Sequence, residues 1–171
     1  DSLLYDSMQA ELMSRLASNI DYSTTTTVAG PGLGTSRLAR DTLGKAIVAN
    51  TPLVIDADAL NLIGNEPALQ EKLLARSAAT IITPHPLEAA RLLASTTQQI
   101  QGNRIAAARA LASTFRATTI LKGSGTVIAA PDGTVVLNTT GNPALATAGS
   151  GDVLAGSVSY THLTLPTILL V

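Results

Sequence analysis

The stretch TTTTVAGPGLGTSRLARDTLGKAIVANTPLVIDADALN, residues 24–61, decides the fold because it contains one complete strand–helix–strand unit. Apolar and β-branched runs at residues 24–29 and 52–55 predict two strands that are buried on both faces. Between them, residues 35–50 carry apolar side chains at helical spacing. Two strands that enclose a helix are typical of neighbours in a parallel sheet.

The same alternation continues along the chain and then changes near its end. We expect strands at residues 79–83, 118–121, 126–130 and 134–137, and helices at residues 68–77, 86–95 and 103–115. The sequence AAPDGT at residues 129–134 is rich in turn-forming residues, so the last two strands should form a β-hairpin. The predicted fold class is therefore α/β, with a mostly parallel sheet covered by helices on both faces and a late β-hairpin.

Composition excludes several classes of function. The 171 residues fit one domain, and with 46% hydrophobic and 13% charged residues the chain is not a disordered one. A net charge of −1 and 2% aromatic residues offer neither a basic surface nor stacking platforms for nucleic acid. The absence of cysteine excludes a disulfide framework, cysteine-ligated zinc and thiol catalysis.

Targeting signals are also missing from the residues at hand. The first six residues lack a basic region and an apolar run, so no signal peptide is expected. The longest stretch without a charged residue, 153–171, holds too many Ser and Thr residues for a membrane span of ~20 apolar residues. We therefore expect a cytoplasmic protein without a membrane partner.

Polar residues gather where the predicted strands end. Asp56 and Asp58 follow the second strand, His85 follows the third, and Lys122 follows the fourth. Each of them alone is more simply a helix cap or a solvated loop residue. Ligands of open α/β sheets bind outside the carboxyl ends of the strands, so the coincidence of four such residues predicts a binding site.

Two glycine-rich loops need separate interpretation. GPGLG at residues 30–34 imitates a dinucleotide fingerprint, but Thr35 stands where the third glycine is required. KGSGT at residues 122–126 is not a P-loop, because its lysine precedes the glycines. The second loop is either a tight turn between strands or a flexible clasp on a nucleotide.

The sequence GSGD at residues 149–152 carries the most chemistry. It precedes an expected helix, so successive N–H groups can form an anion-binding hole at the helix start. Asp152 is then either an ordinary carboxylate in a first helical turn or a general base for a hydroxyl that attacks a phosphate.

Five motifs in this order resemble the ADP/ATP-dependent NAD(P)H-hydrate dehydratase family of the ribokinase-like superfamily. The motifs are AGPGLG at 29–34, VIDADALN at 54–61, TPHPLEAARLL at 83–93, LKGSGTV at 121–127 and TGNPALATAGSGDVLAG at 140–156. The resemblance implies a ribokinase-like fold. It also implies a hydro-lyase that phosphorylates the C6 hydroxyl of the S epimer of hydrated NADH or NADPH and then expels phosphate. ADP or ATP would be the co-substrate, with Mg²⁺ as counterion.

The resemblance also assigns roles to residues. Asp152 would be the base and contact the hydrate, Gly151 would bind nucleotide, and Gly34 and His85 would line the hydrate pocket. Asp56 and Asn61 would be neighbours of the phosphate or the metal, with no residue assigned as a metal ligand. The nucleotide would also be held by Lys122, Gly123, Ser124, Gly125 and Thr126.

The resemblance leaves some questions open. Residues 1–156 would form a partial dehydratase domain without the family's N-terminal part, and residues 157–171 would be a tail outside the family pattern and not native sequence. A homo-oligomer and an epimerase domain fused upstream are further expectations. A small-molecule kinase acting on a vitamin precursor, or a catalytically inactive nucleotide-binding fragment, are the alternative functions. The motifs do not distinguish ADP from ATP or the hydrate of NADH from that of NADPH.

Overall fold

One six-stranded sheet forms the centre of the computed structural model, which describes residues 4–5, 13–14, 16–142 and 146–164. A short antiparallel pair precedes it, made of β1 (Leu4–Tyr5) and β2 (Met13–Ser14). The strands of the large sheet lie side by side in chain order: β3 (Thr27–Ala29), β4 (Leu53–Ile55), β5 (Thr80–Ile82), β6 (Thr118–Leu121), β7 (Thr126–Ala129) and β8 (Val135–Asn138).

Helices fill most of the connections between these strands. They are α1 (Arg37–Val48), α2 (Ala57–Asn65), α3 (Pro67–Leu74), α4 (Pro86–Leu92), α5 (Thr97–Gly102), α6 (Arg104–Phe115) and α7 (Ser150–Val158). Two 3-10 turns lie at Ala17–Asn19 and Tyr22–Thr24, and a π-helix follows α7 at Ser159–Thr164. No helix in the described ranges is long and apolar enough to cross a membrane.

Strand direction changes once along the sheet. Strands β3 to β6 are parallel, whereas β7 is antiparallel to β6 and β8 is antiparallel to β7. Parallel neighbours need a crossover of a dozen or more residues, which the helices supply, while the last strands are joined by short turns. The predicted α/β class with a mostly parallel sheet and a late hairpin is confirmed.

The two faces of the sheet are covered unequally. Leu53, Ile55 and Ile82 pack with helices α1 to α6 in one large buried cluster. On the opposite face, Val54 and Ile81 pack with Ile120 and with α7, through Ala155 and Val158 of that helix. Helix α7 and the π-helix that continues it therefore cover this face of the sheet in the described part of the chain.

Several predicted boundaries need correction. The first strand begins at Thr27 rather than at residue 24, because Tyr22–Thr24 forms a 3-10 turn whose start is capped by the Asp21 carboxylate, 2.9 Å from Ser23 N. Helices α2 and α5 were absent from the predicted set. Both are short, and the first turn of α2 coincides with the polar cluster that follows β4, which hides its helical spacing.

The expected domain boundary at residue 156 falls inside a helix. Helix α7 continues to Val158, whose side chain is buried against the sheet, and the π-helix extends to Thr164. Residues 165–171, which include Pro166, lie outside the described residues. The assignment of 157–171 as a separate, non-native tail stays a prediction.

A buried arginine joins the connections at the amino ends of the strands. Arg76 is 8% exposed, and its guanidinium donates hydrogen bonds to the carbonyl oxygens of Ala46, Ile47 and Thr51. Its Nε also lies 3.0 Å from Thr80 Oγ1. Burial lowers the pKa of Arg76, but the carbonyl oxygens near the C-terminus of α1 satisfy its donors and favour its positive charge. This side chain therefore ties the end of α1 to the start of β5.

Candidate active site

Four loops converge at the carboxyl ends of the parallel strands. Asp56 follows β4, His85 follows β5, Lys122 follows β6, and the first turn of α7 carries Gly151 and Asp152. The backbone N–H of Lys122 donates to the carbonyl of Pro84 at 2.9 Å, so the loops after β5 and β6 are joined directly. The polar cluster predicted from the strand ends is therefore assembled in the structure.

An ion pair lies at the centre of this edge. Lys122 Nζ is 2.7 Å from Asp56 Oδ1, and the Asp56 carboxylate is almost completely buried. Gly151 lies directly against the pair: a Cβ added at this position would be 3.3 Å from Lys122 Nζ and 3.7 Å from Asp56 Oδ2. The start of α7 can approach the two charges this closely because residue 151 has no side chain.

The loop after β3 is pinned to the loop after β4. Gly30 has a φ of +135°, and a Cβ there would lie 1.8 Å from the carbonyl oxygen of Asp56, so only glycine fits. The Gly34 N–H donates to Asp58 Oδ2 at 2.8 Å. Between the two aspartates, Ala57 has a φ of 45°, a strained value for a residue with a Cβ. This backbone turn directs Asp56 and Asp58 toward different partners.

The first turn of α7 has unused hydrogen-bond donors. Gly149 begins the helix with a φ of +85°, and Val153 N donates to its carbonyl at 3.1 Å. Within the described ranges, the N–H groups of Gly151 and Asp152 donate to no residue. These donors and the positive end of the helix dipole can accept an anion beside Lys122. The Asp152 side chain is exposed next to them.

His85 has a structural task at this edge. Its Nδ1 accepts hydrogen bonds from the N–H groups of Leu87 and Glu88, which caps α4, and its Nε2 lies 3.2 Å from Glu88 Oε1. Burial, helped by Lys122 and Arg91, lowers the pKa of His85, while Asp56 opposes the shift. Burial also raises the pKa of Glu88, against the hydrogen bond from the His85 N–H. The imidazole is therefore held in its neutral form.

This arrangement makes stability depend on the protonation of His85. Its folded-state pKa lies below the usual 6.5, so the unfolded chain binds more protons as the pH falls below that value, and stability is lost. Glu88, with a raised pKa, contributes with the opposite sign.

We expect the difference in unfolding free energy between wild type and His85→Asn to shrink as the pH falls from about 7.5 to about 5. Asn can still cap the helix but does not titrate. Urea unfolding at several pH values measures this difference, and a difference that is constant with pH would contradict the role given to His85.

The loop at residues 122–126 is held from below by an arginine that the sequence analysis did not single out. Arg104 Nη2 lies 3.0 Å from the carbonyl oxygen of Leu121, 3.3 Å from that of Lys122 and 3.3 Å from that of Gly125. Thr126 Oγ1 donates to the Gly123 carbonyl at 3.0 Å, and Ser124 is exposed at the tip. A signal was present, since a basic residue in the first turn of a helix opposes the helix dipole and needs a specific reason.

Asn61, expected near the phosphate or the metal, has a side chain that binds an arginine of a neighbouring helix. Its Oδ1 accepts a hydrogen bond from Arg91 Nη1, which ties α2 to α4. The expectation that Asn61 lies near a bound phosphate or metal stays a prediction. The amide lies on the third residue after Asp58, one turn further into α2 than the aspartates.

The acidic groups at this edge do not form a closed metal cage. The described residues contain no group of three or more His, Asp or Glu side chains placed to hold a metal ion. Asp56 Oδ2 lies 3.7 Å from the position of a Cβ at Gly151, and Asp56 Oδ1 is occupied by Lys122. Such a set fits an ion that is carried mainly by phosphate oxygens, which is how Mg²⁺ commonly binds with nucleotides.

Comparisons with known proteins relate the chain to one family. The family model described as NAD(P)H-hydrate dehydratase matches residues 2–161. The ADP-dependent (S)-NAD(P)H-hydrate dehydratase of Neisseria meningitidis serogroup B is 48% identical over 134 residues, which are 77% of this chain and 45% of that protein. The bifunctional NAD(P)H-hydrate repair enzyme of Moorella thermoacetica is 43% identical over 131 residues, 76% of this chain and 24% of that protein.

A solved structure shows the same fold. The ADP/ATP-dependent NAD(P)H-hydrate dehydratase of Bacillus subtilis, co-crystallised with ATP and Mg²⁺ and soaked with CoA, superposes with a TM-score of 0.63 at 31% identity. The match covers 80% of this chain and 50% of that one. The ribokinase-like fold expected from the sequence is confirmed, and the chain spans half or less of the length of the relatives compared with it here.

Proposed function

This chain belongs to the NAD(P)H-hydrate dehydratase family, and from that premise we propose that it dehydrates the S epimer of hydrated NADH or NADPH with ADP or ATP as phosphoryl donor. The observation that carries the proposal is the position of Gly151 against the Lys122–Asp56 pair. It places a helix start with unused N–H donors, a lysine and the exposed carboxylate of Asp152 at one edge of the sheet.

Asp152 is the proposed base. The proton of the C6 hydroxyl passes to its carboxylate while the hydroxyl oxygen forms a bond to the terminal phosphorus of the nucleotide. The bond from that phosphorus to the bridging oxygen breaks, and AMP leaves when the donor is ADP. The exposed position of Asp152 in the first turn of α7 lets its carboxylate reach a substrate outside the sheet edge.

The N–H groups of Gly151 and Asp152 stabilise the charge on the phosphoryl group as it moves. They are preorganised by α7, so they need no rearrangement during transfer. Lys122 Nζ, next to Gly151, adds a positive charge that Asp56 holds in place. Asp56 is the carboxylate that would hold Mg²⁺ together with the phosphates, and the ion would neutralise phosphate charge when bound.

The second half of the reaction needs little from the protein. The C6–O bond breaks with its electron pair on the departing phosphate, the ring nitrogen donates its lone pair, and a proton leaves the neighbouring carbon. The same N–H groups and Lys122 favour this step, because they stabilise phosphate as the leaving group. Gly34 and His85 are the proposed lining of the hydrate pocket.

Nucleotide is the proposed ligand of the loop formed by Lys122, Gly123, Ser124, Gly125 and Thr126. We also propose that the protein is a homo-oligomer, that it is cytoplasmic, and that an epimerase domain is fused upstream. The fusion is supported by relatives whose name describes them as bifunctional. The absence of cysteine from the sequence agrees with a cytoplasmic location.

The test uses the 171-residue chain with the purified S epimer of hydrated NADH, ADP and Mg²⁺. We expect the absorbance of reduced nicotinamide to return only when ADP is present, with one AMP and one phosphate released for each NADH formed. The R epimer serves as the control and should not react. Phosphorylated hydrate that accumulates without NADH would indicate a kinase instead, and no consumption of ADP would refute the proposal.

A further inference from the structure

The loop at residues 122–126 is built around the guanidinium of Arg104. Three carbonyl oxygens, those of Leu121, Lys122 and Gly125, lie within 3.3 Å of Nη2. On its other side, Nη1 donates to Gln101 Oε1 at 2.9 Å. A Cβ added at Gly123, whose φ is +146°, would lie 2.8 Å from Nη1. The loop therefore closes over the guanidinium, and the hydrogen bonds between them in the described structure all use backbone carbonyls of the loop.

These contacts determine which way the peptide groups of the loop point. The described residues contain no cis peptide bond, and in a trans peptide the N–H points opposite to the C=O. Because the Lys122 carbonyl faces Arg104, the Gly123 N–H points away from it. The N–H groups of Gly123, Ser124 and Gly125 donate to no other described residue. Arg104 thus fixes the peptide group between Lys122 and Gly123 with its carbonyl inward and its N–H outward. The N–H groups of Gly123, Ser124 and Gly125 remain as donors for a ligand.

Helix stability does not account for Arg104. The start of α6 is already capped by Asn103, whose Oδ1 accepts from Ala106 N at 3.0 Å. An arginine at the first helical position lies near the positive end of the helix dipole and is unfavourable there. Arg104 is also absent from every ion pair among the residues the structure describes. The carbonyls of the loop are its main partners.

We propose that Arg104 is a positioning residue for the phosphoryl donor. It shapes the loop at residues 122–126 so that the loop's N–H groups can bind the nucleotide, and it does so without touching the nucleotide itself. This inference rests on the proposed function, since it takes nucleotide as the ligand of the loop. The hydrate lies outside its influence, because the proposed hydrate contacts, Gly34 and His85, follow other strands.

The experiment compares Arg104→Gln with Arg109→Gln in the 171-residue chain. Arg109 is exposed on the same helix and makes no ion pair in the described structure, so this control removes the same charge. We expect Arg104→Gln to raise the Kd for ADP, measured by calorimetry, about 10–30-fold, the loss that follows when one or two hydrogen bonds are no longer preorganised. The KM for ADP should rise with it, while the KM for the hydrate stays within about twofold, as for Arg109→Gln.

A second variant separates shape from charge. Arg104→Lys keeps the positive charge but cannot offer the planar fork of donors. Its affinity for ADP should therefore stay close to that of Arg104→Gln. Full recovery in Arg104→Lys would show that charge alone matters and would overturn the positioning role.

Folding is checked in the same samples. Thermal melting reports the global fold, and amide exchange of Lys122, whose N–H donates to Pro84, reports the loop. If Arg104→Gln does not fold, the comparison of Arg104→Lys with wild type decides the matter. Equal ADP affinity in wild type and a folded Arg104 variant would refute the inference and leave the proposed function intact. A wild-type chain that neither binds ADP nor dehydrates the hydrate would refute the proposed function, and the inference with it.

Discussion

Replacing Asp152 by Asn is expected to lower the rate of ADP-dependent dehydration about 10²–10⁴-fold, the usual contribution of a general base. The affinity for ADP should change only a few-fold, because the proposed nucleotide contacts are backbone N–H groups and Lys122. Stability should also change little, since the Asp152 side chain is exposed. The rate is followed by the return of reduced-nicotinamide absorbance, and ADP affinity by calorimetry.

The matched control for Asp152 is Asp41→Asn. Asp41 is likewise exposed on a helix, has no side-chain hydrogen bond or ion pair among the described residues, and is not one of the proposed site residues, so its substitution removes the same charge outside the proposed site. Its rate should equal that of the wild type. If Asp152→Asn turns over hydrate at nearly the wild-type rate, another group accepts the proton and the assignment of the base is wrong.

The second large effect is on stability. Lys122→Met should destabilise the fold by about 3–5 kcal/mol, because it leaves a buried carboxylate without its partner. Asp56 is 1% exposed, and Lys122 Nζ, 2.7 Å away, is the cation paired with it in the described structure. Urea unfolding at neutral pH measures the loss, with an unchanged slope as the sign that the denatured state is not altered.

Two further variants show whether the loss in Lys122→Met comes from the unpaired carboxylate. Lys45→Met removes an exposed lysine of α1 and should change stability by about 0.5 kcal/mol or less. The double substitution Lys122→Met with Asp56→Leu removes both charges, and it should recover much of the stability because no buried charge remains unpaired. A loss below about 1 kcal/mol in Lys122→Met would mean that Asp56 does not depend on the lysine.

The alternation of strands and helices was predictable because it follows from local patterns. Strands that are buried on both faces read as nearly continuous apolar runs. Every residue of β4 and β5 is buried, and all but Thr80 are apolar. The hairpin near the end follows from its turn residues. The cluster at the carboxyl edge followed from topology, since parallel strands end on the same side, and Asp56 and Lys122 indeed meet there.

The remaining features depend on contacts between distant segments. The position of Arg104 in the first turn of α6 signals that its side chain has a specific partner, but it does not reveal that this partner is a loop 17 to 21 residues away. The positive φ of Ala57 is imposed by the packing of two aspartates against different loops, and alanine carries no local signal for it. Asn61 was placed with the site because of its motif, although its amide binds Arg91. In each case a tertiary contact, and not a local preference, decides the conformation.

The hydrogen bonds of buried Arg76 also affect where the fold can open locally. Arg76 lies at the amino ends of the strands, where Asn50 Oδ1 also accepts hydrogen bonds from the N–H groups of Ser77 and Ala78, at 3.0 Å and 2.9 Å. Local opening follows the weakest connections of a fold. Because a buried guanidinium and an amide hold the amino edge of the sheet together, local opening should concentrate at the carboxyl edge. Local opening should therefore begin at the edge that carries the proposed site, and the amino-end connections should open last.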